Sequence, residues 1–234
     1  MEGIFIQLVG RKSYRRCEAL ALLLLAFAAI TAYVKLAGPN NPINSFLYVL
    51  TVTGRVSYLN GAMVLLSEYG REYFWIPLVA AMWLFGKGRV KFSAYVMIIS
   101  FIIAIITGEI LKQALAVPRP FYFYDYRLLI PAPHDFSYPS GHALIVWAGA
   151  SSTFYYLKRR YVYMLSIEAA LVSFSRVYVG VHWPLDVVGG AALGVAVSLI
   201  AAYIAESGKG LSLYRRAIRL SARGREIREP DPLH

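Results

Sequence analysis

The sequence predicts an all-α membrane protein: a helical bundle of six transmembrane helices with both termini on the cytoplasmic side. Three observations carry that expectation. The 234-residue chain is 58% hydrophobic and 16% charged, with a mean hydropathy of +0.53, above the roughly 45–50% apolar content of soluble domains. Its apolar residues fall in runs approaching the ~20 residues that a helix needs to cross a bilayer. Its Lys and Arg residues stand in short blocks between those runs, the pattern of loops beside anionic headgroups rather than of a nucleic-acid surface, despite a net charge of +11.

The first span is expected over 17–36, between Arg15-Arg16 and Lys35. No small-residue cleavage pattern interrupts that run, so it reads as a retained helix and not as a signal peptide. Segment 37–71 carries Pro39, Pro42, Gly54, Gly61 and Gly70. It is too broken for a span and is expected to form short helices at the membrane surface. The second span covers 72–85, short unless extended upstream, and the third covers 92–111, ending at Lys112. A loop rich in proline and tyrosine follows over 113–139. The fourth span covers 142–157 and ends in Lys158-Arg159-Arg160, the fifth covers 161–177, and the sixth covers 184–204. Residues 1–206 thus form one transmembrane domain, and 207–234 a basic cytoplasmic tail expected to lose order beyond Arg223.

An even number of spans puts both termini on one side. Most of the 24 Lys and Arg residues then share that side, including Arg15, Arg16, Lys87, Arg89, Lys158, Arg159, Arg160 and the tail arginines. The other side keeps Lys35, Arg55, Arg71, Lys112, Arg119, Arg127 and Arg176. The positive-inside rule makes the first side cytoplasmic. No internal repeat suggests a transporter built from two halves, and the single cysteine, Cys17, excludes an intramolecular disulfide and a Cys-based zinc site.

Three polar islands fall together on the extracytoplasmic side: Lys112-x6-Arg119-Pro120, then Pro139-Ser140-Gly141-His142, then Ser175-Arg176-x5-His182-x3-Asp186. Ionisable groups are costly beside lipid, so such a cluster points to a functional site. Lys112, Arg119 and Arg176, arriving from separate elements, can enclose a phosphoryl group, the Arg forks pairing its oxygens and Lys acting as a point charge. Ser140 stands where an N-cap would, and helix N-termini offer free N–H groups to anions. Gly141 lets backbone approach a ligand closely. If Pro184 opens a helix, Asp186 lies in its first turn and can bind one nitrogen of His182, fixing the tautomer and leaving the other nitrogen free to attack.

Each of these residues has an ordinary explanation when taken alone. A histidine or a cation at a helix end is usually structural or reaches for headgroups. Glu109 is placed to pair with Lys112, Glu168 to hydrogen-bond a neighbouring helix, and Tyr122, Tyr124, Tyr126 and Trp183 to form an interfacial aromatic belt. The ordinary explanations lose force jointly, because cations, imidazoles and a carboxylate of matching chemistry share one membrane face.

The order and spacing of the three islands resemble the signature of the type 2 phosphatidic acid phosphatase superfamily, with no departure at a signature position between Lys112 and Asp186. The resemblance implies a phosphatase without metal or cofactor. In it His182 is the nucleophile that becomes a phosphohistidine, oriented by Asp186, and His142 protonates the leaving oxygen and later activates water. Lys112, Arg119 and Arg176 hold the phosphate, aided by backbone groups of Ser140 and Gly141.

The expected protein is therefore a multi-pass enzyme of the cell membrane that removes a terminal phosphate from a lipid. Its partners are a membrane lipid phosphate and the bilayer, not nucleic acid. A polyprenyl diphosphate is the first choice of substrate, with phosphatidylglycerophosphate or phosphatidic acid next. Two rivals differ in class: an anion transporter or channel, and a metal-dependent hydrolase using His142, His182 and Asp186 as ligands.

Overall fold

In a computed structural model of the chain, residues 2–226 are described, with side chains for 15–220. Among the described residues the secondary structure is entirely helical: α1 Glu2–Ala37, α2 Pro42–Thr53, α3 Ser57–Tyr69, α4 Glu72–Leu84, α5 Arg89–Leu115, α6 Gly141–Ser152, α7 Arg159–Tyr178, α8 Pro184–Glu206 and α9 Gly208–Glu226, with one 3-10 turn at Pro120–Tyr122. Helix α6 pairs with α8 at the centre, flanked by α5 and α7, while α1 packs on α8, α4 on α5, and α2 and α3 on α7.

The central pair owes its closeness to glycine. A Cβ at Gly190 of α8 would stand 2.6 Å from the Ser140 carbonyl oxygen, and one at Gly194 would strike the Leu144 backbone. Small residues let membrane helices pack backbone to backbone when burial against lipid offers little drive. Around this pair, Trp75, Met97, Val146 and Val172 join α4, α5, α6 and α7, and Ala104, Leu144, Leu193 and Val197 join α5, α6 and α8. The outer surface stays apolar: Ile102, Ile105, Ile106 and Ile110 of α5 are all more than half exposed, which suits contact with lipid tails and not with water.

Among the described residues, three helices, α1, α5 and α8, are long and apolar enough to cross a membrane. The remaining three of the expected six fall short for physical reasons. Helices α4 and α6 hold 13 and 12 residues, about 20 Å at 1.5 Å per residue, against a ~30 Å hydrocarbon core. The expected fourth span to residue 157 stops at Ser152, after which the chain turns. Helix α7 has the length, but Glu168 and Arg176 interrupt its apolar run. Glu168 does bond a neighbouring helix, accepting the Trp75 indole N–H at 3.0 Å.

Segment 37–71 forms two short helices, α2 and α3, as expected. The described part of the tail is helical. Helix α9 continues past Arg223 to Glu226 and docks through Tyr214, whose ring meets Trp83, Phe92 and Tyr95; residues 227–234 lie outside the described residues. Nor does Trp183 belong to an aromatic belt. It is fully buried, donates its indole N–H to the Pro118 carbonyl at 2.9 Å, and packs with Tyr48, Tyr124 and Phe123.

The helix ends sort the charges. Arg16 of α1 pairs with Glu206 of α8 at 2.6 Å, and Tyr156 donates to the same carboxylate at 2.7 Å. At the opposite end α5 and α7 finish, α6 and α8 begin, and all three polar islands meet.

Candidate active site

Helix α5 delivers Lys112 in its last turn and stops at Ala116, which turns the chain in the left-handed region at φ 47°. Arg119 follows in extended backbone and is 2% exposed. On the other side α7 ends at Tyr178, carrying Arg176 in its last turn. Gly180, at φ 96°, reverses the chain there and leaves no room for a side chain, its Cβ position lying 2.8 Å from Arg55 Nη2 and 3.0 Å from Leu128 Cδ2. That turn places His182 two residues before Pro184, which opens α8.

His182 and Asp186 meet as their spacing predicts. Asp186 Oδ2 lies 3.2 Å from His182 Nδ1 and also accepts the Trp183 backbone N–H at 2.8 Å and the Ser137 hydroxyl. The other imidazole nitrogen, Nε2, lies 3.3 Å from Arg119 Nη1. A guanidinium can only donate, so Nε2 presents its lone pair and the ring proton sits on Nδ1, facing Asp186. Burial, reinforced by the charges of Arg119, Arg176 and Lys112, holds the His182 imidazole well below its usual pKa. The ring is neutral, with Nε2 as its unprotonated, nucleophilic atom.

Arg119 is held on several sides. Its Nη1 donates to the Val181 carbonyl at 2.6 Å, and its Nε donates to the Asp135 carbonyl at 2.8 Å. Its Nη2 pairs with the Asp135 carboxylate at 2.5 Å, and Lys112 pairs with the same carboxylate's other oxygen. Glu109 therefore does not serve as the partner of Lys112; it accepts from Gln113 at 2.8 Å instead. Burial alone would raise the Asp135 pKa, but the bonds and charges of Lys112 and Arg119 outweigh it and keep the carboxyl below the usual range. Arg176 is fixed differently: its Nη1 donates to the Ser67 carbonyl at 3.1 Å and to the Ser67 hydroxyl at 2.5 Å, while its Nε has no partner.

Ser140 is the N-cap residue of α6, but its hydroxyl makes no capping bond. Its backbone N–H, expected to face the ligand, donates to the Asp186 carbonyl at 3.0 Å. The buried Ser140 hydroxyl is left without a partner and is the group free to meet an anion. Gly141 opens α6, where backbone N–H groups lack intrahelical acceptors. His142 follows in the first turn, within electrostatic reach of Arg176, Arg71, Lys112 and Arg119. Among the described residues no three His, Cys, Asp or Glu side chains gather closely enough to hold a metal ion.

Four participants were not legible beforehand: Ser67, Arg71, Asp135 and Ser137. Asp135 had one available signal, since it and Asp125 are the only carboxylates in the 113–139 loop, on the face that gathers cations. Arg71 had only its place among the cations of that face, and the two serines had none, because only tertiary packing brings them to the site.

Residues 93–208 match the PAP2 superfamily model. Over 191 residues the chain is 46% identical to an undecaprenyl-diphosphatase of Sulfolobus acidocaldarius, covering 80% of this chain and 91% of that protein. The chain belongs to the PAP2 superfamily. Among solved PAP2-like structures, Aquifex aeolicus LpxE superposes with a TM-score of 0.61 at 28% identity, covering 70% of this chain and 98% of that one. A Bacillus subtilis PAP2-type phosphatidylglycerolphosphate phosphatase superposes with a TM-score of 0.66 at 24% identity, covering 80% and 96%, and shares the fold. PAP2 membership and the outward-facing apolar helices make this a multi-pass membrane protein.

Proposed function

We propose that this PAP2 protein is a membrane lipid phosphatase that removes the terminal phosphate of a polyprenyl diphosphate through a phosphohistidine on His182. One observation carries the reading. Lys112 and Arg119 converge on a single carboxylate, Asp135, and Arg119 also lies 3.3 Å from the unprotonated Nε2 of His182. An anion site next to a neutral, oriented imidazole is what phosphoryl transfer requires.

In the first step the Nε2 lone pair attacks the terminal phosphorus. An N–P bond forms as the P–O bond to the lipid breaks, and His142, protonated when the anionic substrate binds beside it, gives that proton to the departing oxygen. Asp186 and Ser137 hold the ring while its charge develops, the carboxylate stabilising the imidazolium character at Nδ1. Lys112, Arg119 and Arg176 hold the equatorial oxygens of the transition state, with the Ser140 hydroxyl and the Gly141 N–H aimed at the same group. In the second step water attacks the phosphohistidine, His142 takes its proton, the N–P bond breaks, and inorganic phosphate leaves. Every catalytic charge comes from side chains, so neither metal nor cofactor is required. The substrate displaces Asp135 from the two cations, an exchange eased by the exposure of that carboxylate on its loop.

The Sulfolobus relative named for undecaprenyl diphosphate supports a polyprenyl diphosphate as substrate. Six spans, with α4, α6 and α7 completing the three long ones, would leave the basic end and both termini cytoplasmic and the site extracytoplasmic, where a spent lipid carrier is released. Residues 1–206 form the catalytic domain and the basic tail lies at the cytoplasmic surface. Phosphate release by purified protein in detergent tests the reading, comparing undecaprenyl diphosphate, phosphatidylglycerophosphate and phosphatidic acid with and without chelator. Preference for the diphosphate, unchanged by chelator, is expected. Loss in chelator would favour the metal-dependent hydrolase, release from no lipid the transporter, and preference for a glycerophospholipid the alternative substrates. For orientation, Asp125→Cys in a Cys17→Ser background should react with an impermeant thiol reagent in intact cells; protection there would put the site on the cytoplasmic side.

A further inference from the structure

Four cations act on His142 at this end of the bundle, and the mechanism above uses three of them. The fourth, Arg71, sits in the turn between α3 and α4. Its position is imposed by packing: a Cβ at the preceding Gly70 would strike Val172 of α7, so this turn is pressed against that helix. One helical turn earlier on the same segment, Ser67 accepts both bonds from Arg176. The Arg71 guanidinium then reaches towards the start of α6, its Nη1 lying 3.8 Å from where a Gly141 Cβ would be.

Its charge falls on one side of the site. The leading charges acting on His182 are Arg119, Arg176 and Lys112, whereas those acting on His142 are Arg176 and then Arg71. In an in-line displacement the nucleophile and the leaving group occupy opposite apices. His182 defines the entering side, so a cation grouped with His142 lies on the leaving side.

Building on the diphosphatase reading, we propose that Arg71 holds the second phosphate of the substrate, the one that departs with the lipid, and so selects diphosphates over monophosphates. When Nε2 bonds to the terminal phosphorus, the bridging P–O bond breaks with its electron pair on the bridging oxygen, and the proton of His142 goes there. For a lipid monophosphate that oxygen leaves as a neutral alcohol and offers Arg71 no charge. For a diphosphate the leaving group is itself a phosphate, and the guanidinium fork fits its two non-bridging oxygens. Arg71 now pairs with Glu72, its chain neighbour, with side chains 29% and 46% exposed. Pairs this exposed are weakly held, so a phosphate can take the place of Glu72.

The test uses full-length protein in detergent with farnesyl diphosphate and farnesyl monophosphate, which share a tail and differ by the second phosphate. Phosphate release gives kcat and KM for wild type, Arg71→Ala, Arg71→Lys and Glu72→Gln, with thermal melting as the folding control. Arg71→Ala should lower the diphosphate-to-monophosphate ratio of kcat/KM at least tenfold. Arg71→Lys should recover part of that ratio through its charge. Glu72→Gln, which frees the guanidinium, should lower KM for the diphosphate alone. Parallel losses on both lipids would mark Arg71 as structural, and an unchanged ratio in both Arg71→Ala and Glu72→Gln would also overturn the proposal. A wild type that hydrolyses only the monophosphate would sink the diphosphatase reading itself, whereas an active diphosphatase with an unchanged ratio sinks this inference alone.

Discussion

The two sides of the phosphate site hold their cations in opposite ways. Lys112 and Arg119, from the α5 side, share a carboxylate on a loop. Arg176, from the α7 side and 5% exposed, donates only to the neutral carbonyl and hydroxyl of Ser67. Removing a charge from water costs several kcal/mol unless something compensates it. The α5 side compensates with a partner that can be exchanged for substrate. The α7 side leaves a buried positive charge that an arriving phosphate relieves. The first arrangement favours reversible capture, and the second favours strong electrostatic action once the anion has arrived.

The largest expected effect lies between these sides. His182→Ala removes the attacking nitrogen and should abolish turnover and any trapped phosphohistidine while the protein still melts as wild type. Labelled phosphate still bound covalently to that variant would refute the nucleophile. Next comes Arg176→Ala, which should lower kcat/KM by about two to three orders of magnitude, the loss typical of one preorganised oxyanion donor. Because no carboxylate is orphaned by the change, folding should survive. A small kinetic loss with a large fall in melting temperature would show that Arg176 is structural and end the contrast.

Much of this contrast was hidden from the sequence for a definite reason. The motif residues were legible because short-range geometry fixes them: His182 and Asp186 lie one turn apart across a proline-started helix, and Ser140 precedes α6. The long apolar helices α1, α5 and α8 were legible from run length. What failed were judgements needing a partner from far along the chain. Lys112 was matched to Glu109 because they are neighbours, but the fold offers Asp135. Trp183 was placed at a surface that α2 and the 113–139 loop in fact cover. Segment 37–71 reads as too broken for a span and carries no motif, yet it supplies Ser67 and Arg71. Helix α6 was drawn too long because nothing local marks its end at Ser152.

The pH dependence should show a smaller effect, again drawn from between the two sides. His182 has its pKa held well below the usual 6.5 of a histidine by burial and then by Arg119, Arg176 and Lys112. Its imidazole stays neutral as pH falls through 6.5, so kcat/KM should not decline there as it would for an exposed histidine, about tenfold per unit. Stability should behave oppositely. Below pH 6.5 the unfolded chain binds a proton at this position and the folded chain does not, so stability present above 6.5 is lost progressively towards the folded pKa. Cutting the charge with Arg119→Gln should move the acid limb upward. A limb at the same pH in wild type and variant would show that burial alone sets it.

Asp135→Asn probes the exchangeable side most directly, with the smallest expected change. The carboxylate competes with phosphate for Lys112 and Arg119, and the amide keeps its shape while losing its charge. Arg119 still has the Val181 and Asp135 backbone carbonyls to hold its orientation. Inorganic phosphate, as a competitive inhibitor, should therefore bind several-fold to about tenfold tighter, on the order of 1 kcal/mol. The modest size follows from the exposure of Asp135, whose side chain is 43% accessible, so that water screens much of its attraction. The gain should shrink as salt is added, because screening weakens what remains of that competition. Weaker phosphate binding in the variant would mean that the carboxylate aligns the two cations rather than guarding them. Both sides of the site would then be rigidly built, and the contrast between exchangeable and fixed cations would fall.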